Sequence, residues 1–118
     1  MRPASYLALE AELQAIGIPC AEKGWTTRPA EEYITYDLEF EAGSDAGDGR
    51  KTARAWEGSV DYFTRDKNSS VVDEIETALE NTTGSCWRCE QNGAWERATG
   101  LFRWEWVFQV EDAAPAGE

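Results

Sequence analysis

Histidine is absent from this chain of 118 residues, and methionine occurs once. Without imidazole the commonest general base and the commonest metal ligand are missing, which excludes hydrolytic triads and histidine-based zinc sites. Positive charge is scarce as well: 11 Lys and Arg stand against 23 Asp and Glu, for a net charge of −12. A chain this acidic repels phosphate backbones, so nucleic acid is not expected among its partners. Cysteine is limited to Cys20, Cys86 and Cys89, too few and an odd number for a secreted disulfide scaffold. No run approaches the ~20 apolar residues of a bilayer span. After Met1-Arg2-Pro3 the apolar stretch is broken by Glu10 and Glu12, which defeats a signal-peptide reading. The expectation is a soluble protein made inside a cell, with no membrane partner.

What the chain does have is a core. Hydrophobic residues make up 42%, including six Trp, four Tyr and four Phe, a globular composition rather than a disordered one. The length suits one domain, with a compact radius of roughly 13 Å. Residues 1–110 are expected to form it, and 111–118, rich in Ala, Pro, Gly and acid, to be a disordered acidic tail.

Two helices and four or five strands are expected. Tyr6, Leu9, Leu13 and Ile16 make one helical stripe over residues 5–16, stopped by Gly17 and Pro19. Residues 18–25 suit a short strand. Tyr33 to Phe40 alternates, with Ile34, Tyr36, Leu38 and Phe40 on one face. Ala53 to Thr64 alternates too, with Trp56, Val60 and Tyr62 on one side and Glu57, Ser59 and Asp61 on the other. Ser69 to Asn81 has helical spacing at Val71, Val72, Ile75, Ala78 and Leu79, and Ser70 with Asp73 resembles a capping box. Ser85 to Glu90 suits a strand, Gln91-Asn92-Gly93 a turn, and Leu101 to Val110 the last strand, with Trp104, Trp106, Phe108 and Val110 aligned. The order implies an α+β fold: a small, mostly antiparallel sheet with both helices packed on one face.

The motifs that invite chemistry carry little. Cys86-Trp87-Arg88-Cys89 has redox or half-zinc spacing, but it follows a helix and precedes a polar turn, and the remaining zinc ligands are missing. It reads as two reduced structural cysteines, one inward and one outward. Seven carboxylates and no base lie from Glu31 to Asp48, yet counting from Asp45 puts Gly47, Gly49 and Trp56 where calcium-loop ligands belong. Neither metal nor cofactor is expected, and catalysis is not. Trp56, Trp104 and Trp106 fall at core positions; one or two of Trp25, Trp87 and Trp95 are expected at the surface, as aromatic anchors for another protein.

One run is more specific. Trp56-Glu57-Gly58-Ser59-Val60-Asp61-Tyr62-Phe63-Thr64-Arg65-Asp66-Lys67 leads through a strand and a Thr into the acidic helix Val71 to Glu80, then to the terminal Phe102-Arg103-Trp104-Glu105-Trp106 strand. Ahead of it stand Ile18-Pro19, Tyr33-Ile34-Thr35-Tyr36 and an acidic loop. Over about residues 5–110 this order resembles the tail terminator, or tail completion, proteins of long-tailed phages and prophages. The resemblance implies a non-enzymatic virion protein. Its copies, usually six, would form a ring on the head-proximal end of the tail tube, stop tube polymerisation and offer a docking face to the head connector. Partners would be other copies of itself, the tail tube protein and the head–tail connector protein; location would be the host cytoplasm during assembly, then the virion.

A closed ring needs two different, complementary patches on each subunit. The long segment from Glu41 to Thr52 and the start of the next strand carry both signs: Asp45 and Asp48, then Arg50, Lys51 and Arg54. These five are the candidate contacts to a neighbouring subunit or the tube. Two other functions fit the same composition. One is an acidic module that mimics nucleic acid or otherwise inhibits a host protein, and the other is a head–tail connector or adaptor.

Overall fold

The structure, a computed structural model, describes residues 3–24, 31–43 and 53–113. The elements run α1 (Ala4–Ala15), β1 (Cys20–Glu22), β2 (Tyr33–Gly43), β3 (Ala53–Thr64), α2 (Val71–Thr83), β4 (Trp87–Glu96) and β5 (Leu101–Ala113). The strands form one sheet in the order β1-β2-β3-β5-β4. Among the described residues only the β1–β2 pairing is parallel; the other three are antiparallel. β3 and β4 therefore run the same way with β5 between them, and α2 makes the crossover. The fold is α+β, as the element order implied.

Both helices lie on one face because their apolar stripes need a shared surface. Tyr6, Leu9 and Leu13 of α1 and Val72, Ile75, Ala78 and Leu79 of α2 are buried in one cluster with Ile34, Tyr36, Val60, Tyr62, Trp106 and Phe108. The pairs Ile34↔Tyr62, Tyr36↔Val60 and Leu38↔Gly58 bring β2 and β3 into register. Val60↔Trp106 and Gly58↔Phe108 extend the same layer into β5. Gly58 is dictated by close approach. A Cβ there would sit 2.3 Å from the Asp37 carbonyl oxygen and 2.6 Å from the Phe108 ring.

Acids at the edge of this core are held by aromatic donors. Tyr6 donates to Glu22 at 2.6 Å, Tyr36 to Glu10 at 2.7 Å, Tyr62 to Glu32, and Trp106 Nε1 to Glu76 at 2.9 Å. In a chain short of cations, phenol and indole donors supply the hydrogen bonds that a half-buried carboxylate requires.

The structure departs from the sequence expectation in four places. Ser70 makes no side-chain cap, because its backbone is already helical; the Ser69 hydroxyl instead accepts from the Val71 amide at 3.2 Å. Gln91-Asn92-Gly93 is not the hairpin turn. β4 continues through it to Glu96, register shifts fall between Cys89 and Gln91 and between Asn92 and Ala94, and residues 97–100 connect to β5, with the Gly100 amide bonded to the Glu96 carbonyl. Gly93, with φ of +71°, takes up a bulge rather than a turn, and its bare α-carbon lies under the Trp104 ring. β2 runs three residues past the expected Phe40, to Gly43, while β3 starts at Ala53 as expected. Finally β5 runs past residue 110: Glu111, Asp112 and Ala113 pair with Ala55, Arg54 and Ala53, so the first three residues of the expected tail belong to the sheet. Residues 114–118 lie outside the described part.

Candidate functional site: the helix-free face of the sheet

Among the described residues the opposite face of the sheet carries no helix, yet it is not simply a solvated surface. Strand alternation sends Thr35, Ser59 and Asp61 there, and all three are buried. Asp61 is the extreme case, with a side chain 3% exposed. Burying a carboxylate costs several kcal/mol unless charge and hydrogen bonds compensate. Arg103, reaching diagonally from β5, supplies most of the compensation. Its Nη2 and Nε lie 2.6 Å and 2.9 Å from Asp61 Oδ2. The pairs Asp61↔Glu105 and Phe63↔Arg103 place the guanidinium beside the acid and over the Phe63 ring, 5.9 Å from its centroid.

The second cation comes from the turn after β1. The Lys23 amide bonds to the Tyr36 carbonyl, which anchors that turn beside β2. Lys23 Nζ donates to Ser59 Oγ at 2.7 Å and to Glu39 at 3.2 Å, and Ser59 Oγ donates to Glu39 at 2.8 Å. Lys23 stands 3.6 Å from Asp61 Oδ1, an ion pair but not a hydrogen bond. Among the described residues Asp61 Oδ1 is consequently buried with no hydrogen-bond donor. Arg103 also approaches Glu105 at 3.6 Å and Glu96 at 3.7 Å. Among the described residues four carboxylates thus share two cations.

The electrostatics follow from that ratio. The hydrogen bond from Ser59, with help from Lys23, holds the Glu39 carboxyl below its ordinary range despite some burial. Glu105 is held above its ordinary range, first by burial and then by the charge of Asp61, which outweigh Arg103 and Lys23. Burial opposes the charge on Arg103, but the Asp61 hydrogen bond and the charges of Asp61, Glu105 and Glu96 prevail and raise its pKa. The centre of this network opens as a hollow of about 280 Å³ lined by Lys23, Thr35, Asp61, Phe63, Glu96 and Arg103. A larger hollow of about 370 Å³ lies between the helices, but its polar lining, Glu12, Asp73, Glu74 and Thr77, is exposed or half-exposed and encloses no buried polar group.

The candidate residues chosen from sequence fall elsewhere. Asp45, Asp48, Arg50 and Lys51 lie outside the described residues. Arg54 lies on β3 and pairs with Asp112, at the far end of the strand from the hollow. None of the six residues around the hollow was singled out from sequence as functional. The available signal was the polar run Glu57, Ser59, Asp61 facing away from Trp56, Val60 and Tyr62 on a strand otherwise made of core residues.

The cysteine spacing does not bring two thiols together, and residues 44–48 of the acidic stretch lie outside the described residues. Cys86 and Cys89 are both exposed free thiols, rather than one inward and one outward. Three residues of extended chain separate them by roughly 10 Å, beyond disulfide reach. Burial, then Glu76 and Glu90, push the Cys89 thiol up, the reverse of an activated redox cysteine. Among the described residues no group of three or more His, Cys, Asp or Glu is placed to hold a metal. No helix of the described residues is long and apolar enough to cross a membrane. Trp106 is fully buried, and Trp56, Trp87 and Trp104 are partly buried against the core. Trp95 is 61% exposed, edge-on to Phe102 at 5.2 Å. Trp25 lies outside the described residues. In comparisons with known proteins, the chain matches no family model and no curated sequence.

Proposed function

We propose that this protein is a structural assembly subunit of the tail-terminator kind. It caps the head-proximal end of a phage tail tube as a ring, in a role that involves no catalysis, and presents the docking surface for the head connector. The observation that carries this reading is the two-sidedness of the sheet. One face is sealed by α1 and α2, while the other carries no helix among the described residues and holds a charged network whose buried Asp61 Oδ1 has no donor among them. Such a face suits contact with protein rather than the enclosing of a small substrate, since most of its charged groups are engaged with one another. The α+β order of elements supports the family resemblance drawn from residues 56–67 and 102–106.

Deleting the gene from the phage or prophage that encodes it, and imaging the particles, tests the proposal. Tails of uncontrolled length without heads are the expected result. Tails of normal length that fail to attach would move the protein to the connector. Normal infectious particles would overturn the virion role and favour the acidic inhibitor, for which the net charge of −12 speaks.

A further inference from the structure

Among the described residues Leu7 and Trp95 are the large apolar side chains that stand in solvent. Trp95 sits one residue before the end of β4, the outermost strand of the sheet. Its ring rests edge-on against Phe102, so it projects from a fixed base. Thr64 pairs with Phe102, and the segment after β3 and the turn before β5 therefore leave the sheet side by side. They bring Arg65, Lys67 and Arg97, all exposed, to the same end as Trp95. Arg65 meets Glu31 at 4.0 Å, and Asp66 accepts from the Asn68 amide at 2.9 Å. Among the described residues Lys67 and Arg97 pair with no acid. An exposed indole beside unpaired cations has the make-up of an interface anchor.

The helix layer is opposite in character. Neither α1 nor α2 carries Lys or Arg. Of their acids, Glu10, Glu76 and Glu80 are held by Tyr36, Trp106 and Trp87. The others, Glu12, Asp73 and Glu74, meet no cation among the described residues, and Glu12 receives only the Asn81 side-chain amide at 3.3 Å. These three rim the hollow of about 370 Å³ between the helices, over a floor of Ala15, Ile16 and Ala78. Asp73 and Glu74 suit the N-terminal end of the α2 dipole, but Glu12, in the C-terminal half of α1, gains nothing from its own. The approach to the hollow is apolar as well: Ala4, Leu7, Ala8, Ala11 and Ala15 are all exposed. With Tyr6, Leu9 and Leu13 buried on its other side, α1 is apolar all round, the pattern of a helix with contacts on both sides.

We propose that the hollow between α1 and α2 receives Trp95 of a second copy of this chain, with Lys67 and Arg97 of that copy set against Glu12, Asp73 and Glu74. An apolar floor takes the indole and an unpaired acidic rim takes the cations beside it. The two patches share no residue, so the contact is heterologous and repeats from copy to copy, as a ring requires. The inference rests on the ring reading and deepens it: subunit contact falls to the helix layer and the β4–β5 end, leaving the helix-free face of the sheet for another partner.

Two variants test it, each removing one patch. Lys67→Ser/Trp95→Ser/Arg97→Ser removes the anchor and its cations and leaves the hollow intact. Glu74→Arg/Thr77→Arg fills the hollow, reverses its charge and leaves the anchor intact. Both change exposed residues only. Circular dichroism checks folding, and Trp95→Ser alone serves where a multiple variant does not fold. Sedimentation velocity at about 0.15 M salt reads association. Wild type is expected to form closed oligomers, and each variant alone to associate at least roughly tenfold more weakly. An equimolar mixture is expected to give 1:1 dimers that do not extend, since one intact anchor and one intact hollow remain. Wild type that stays monomeric up to its solubility limit would overturn the proposal, as would a mixture that gives no dimer. Oligomers formed as readily by either variant as by wild type would overturn it while leaving the ring reading standing. That reading falls separately, on normal infectious particles from the deletion strain.

Discussion

On the helix-covered face of the sheet, Ile34, Tyr36, Val60, Tyr62, Trp106 and Phe108 are buried by apolar contact with α1 and α2. One residue along the same strands, Thr35, Ser59 and Asp61 are just as inaccessible, but they are buried by a handful of polar side chains instead. The covered face draws on dispersion and loss of apolar surface, which is tolerant of direction. The bare face depends on directed charge pairs, whose value is set by who remains when one partner is lost. The two faces also treat acid differently. Towards the helices, Glu10, Glu32 and Glu76 are held by Tyr36, Tyr62 and Trp106; on the bare face Glu39, Asp61, Glu96 and Glu105 compete for Lys23 and Arg103.

The contrast breaks most visibly at the covered face. Trp106→Ala removes the largest fully buried side chain and leaves Glu76 without its indole donor, so a loss of about 3–5 kcal/mol is expected by urea unfolding. That is a large part of a typical domain's stability of roughly 5–15 kcal/mol. Gly58→Ala is expected to cost at least about 1–3 kcal/mol, because its Cβ meets backbone that cannot rotate away.

The bare face should respond asymmetrically. Arg103→Met strands Asp61 in a buried site and is expected to cost about 3 kcal/mol. Asp61→Leu leaves Arg103 about one-third exposed, with Glu96 and Glu105 to receive it, and should cost clearly less. The double variant Arg103→Met/Asp61→Leu is expected to be more stable than Arg103→Met alone. Equal losses in the two single variants would mean that the network is solvated and the faces do not differ in this way.

Alkaline unfolding sharpens the comparison from the other side. Burial, then Glu10, push the Cys20 thiol up to about 12, and burial, then the Glu32 hydrogen bond, push the Tyr62 phenol up to about 12. Both groups hold their protons more tightly folded than unfolded. Their contribution is therefore fully present below the unfolded values of 9.0 and 10.0 and is lost as pH climbs towards about 12. Stability measured by denaturant should decline from pH 9 upward, and Cys20→Ala should flatten the first part of that decline. The smallest effect belongs to Trp95→Ser. With the side chain mostly in solvent, the stability change should stay within about 0.5 kcal/mol, which separates this aromatic from the core tryptophans.

Sequence periodicity anticipated the covered face well. The stripe Tyr6, Leu9, Leu13 is the buried side of α1, the Trp56, Val60, Tyr62 face is the one that meets the helices, and β3 has the bounds expected of it. Apolar alternation reports burial directly, because only one face of such a strand can leave water. Turn chemistry was less legible. Asn92-Gly93 carries a hairpin signal, yet the β4–β5 pairing uses it as a bulge and turns at 97–100. A positive-φ glycine serves either purpose, and cross-strand register chooses between them.

By itself the sequence determined the class of fold, the identity of the core face, and an acidic surface with few cations to neutralise it. These follow from composition and from periods of 2 and 3.6 residues, which are local properties of the chain. Tertiary structure alone decided that Asp61 is buried, since its neighbours Lys23 and Arg103 are 38 and 42 residues away and meet it only through the β1–β2 and β3–β5 pairings. A polar residue in a strand reads as solvent-facing until its cross-strand partners are known. Charge pairing acts through space, and no local pattern encodes which distant cation will arrive.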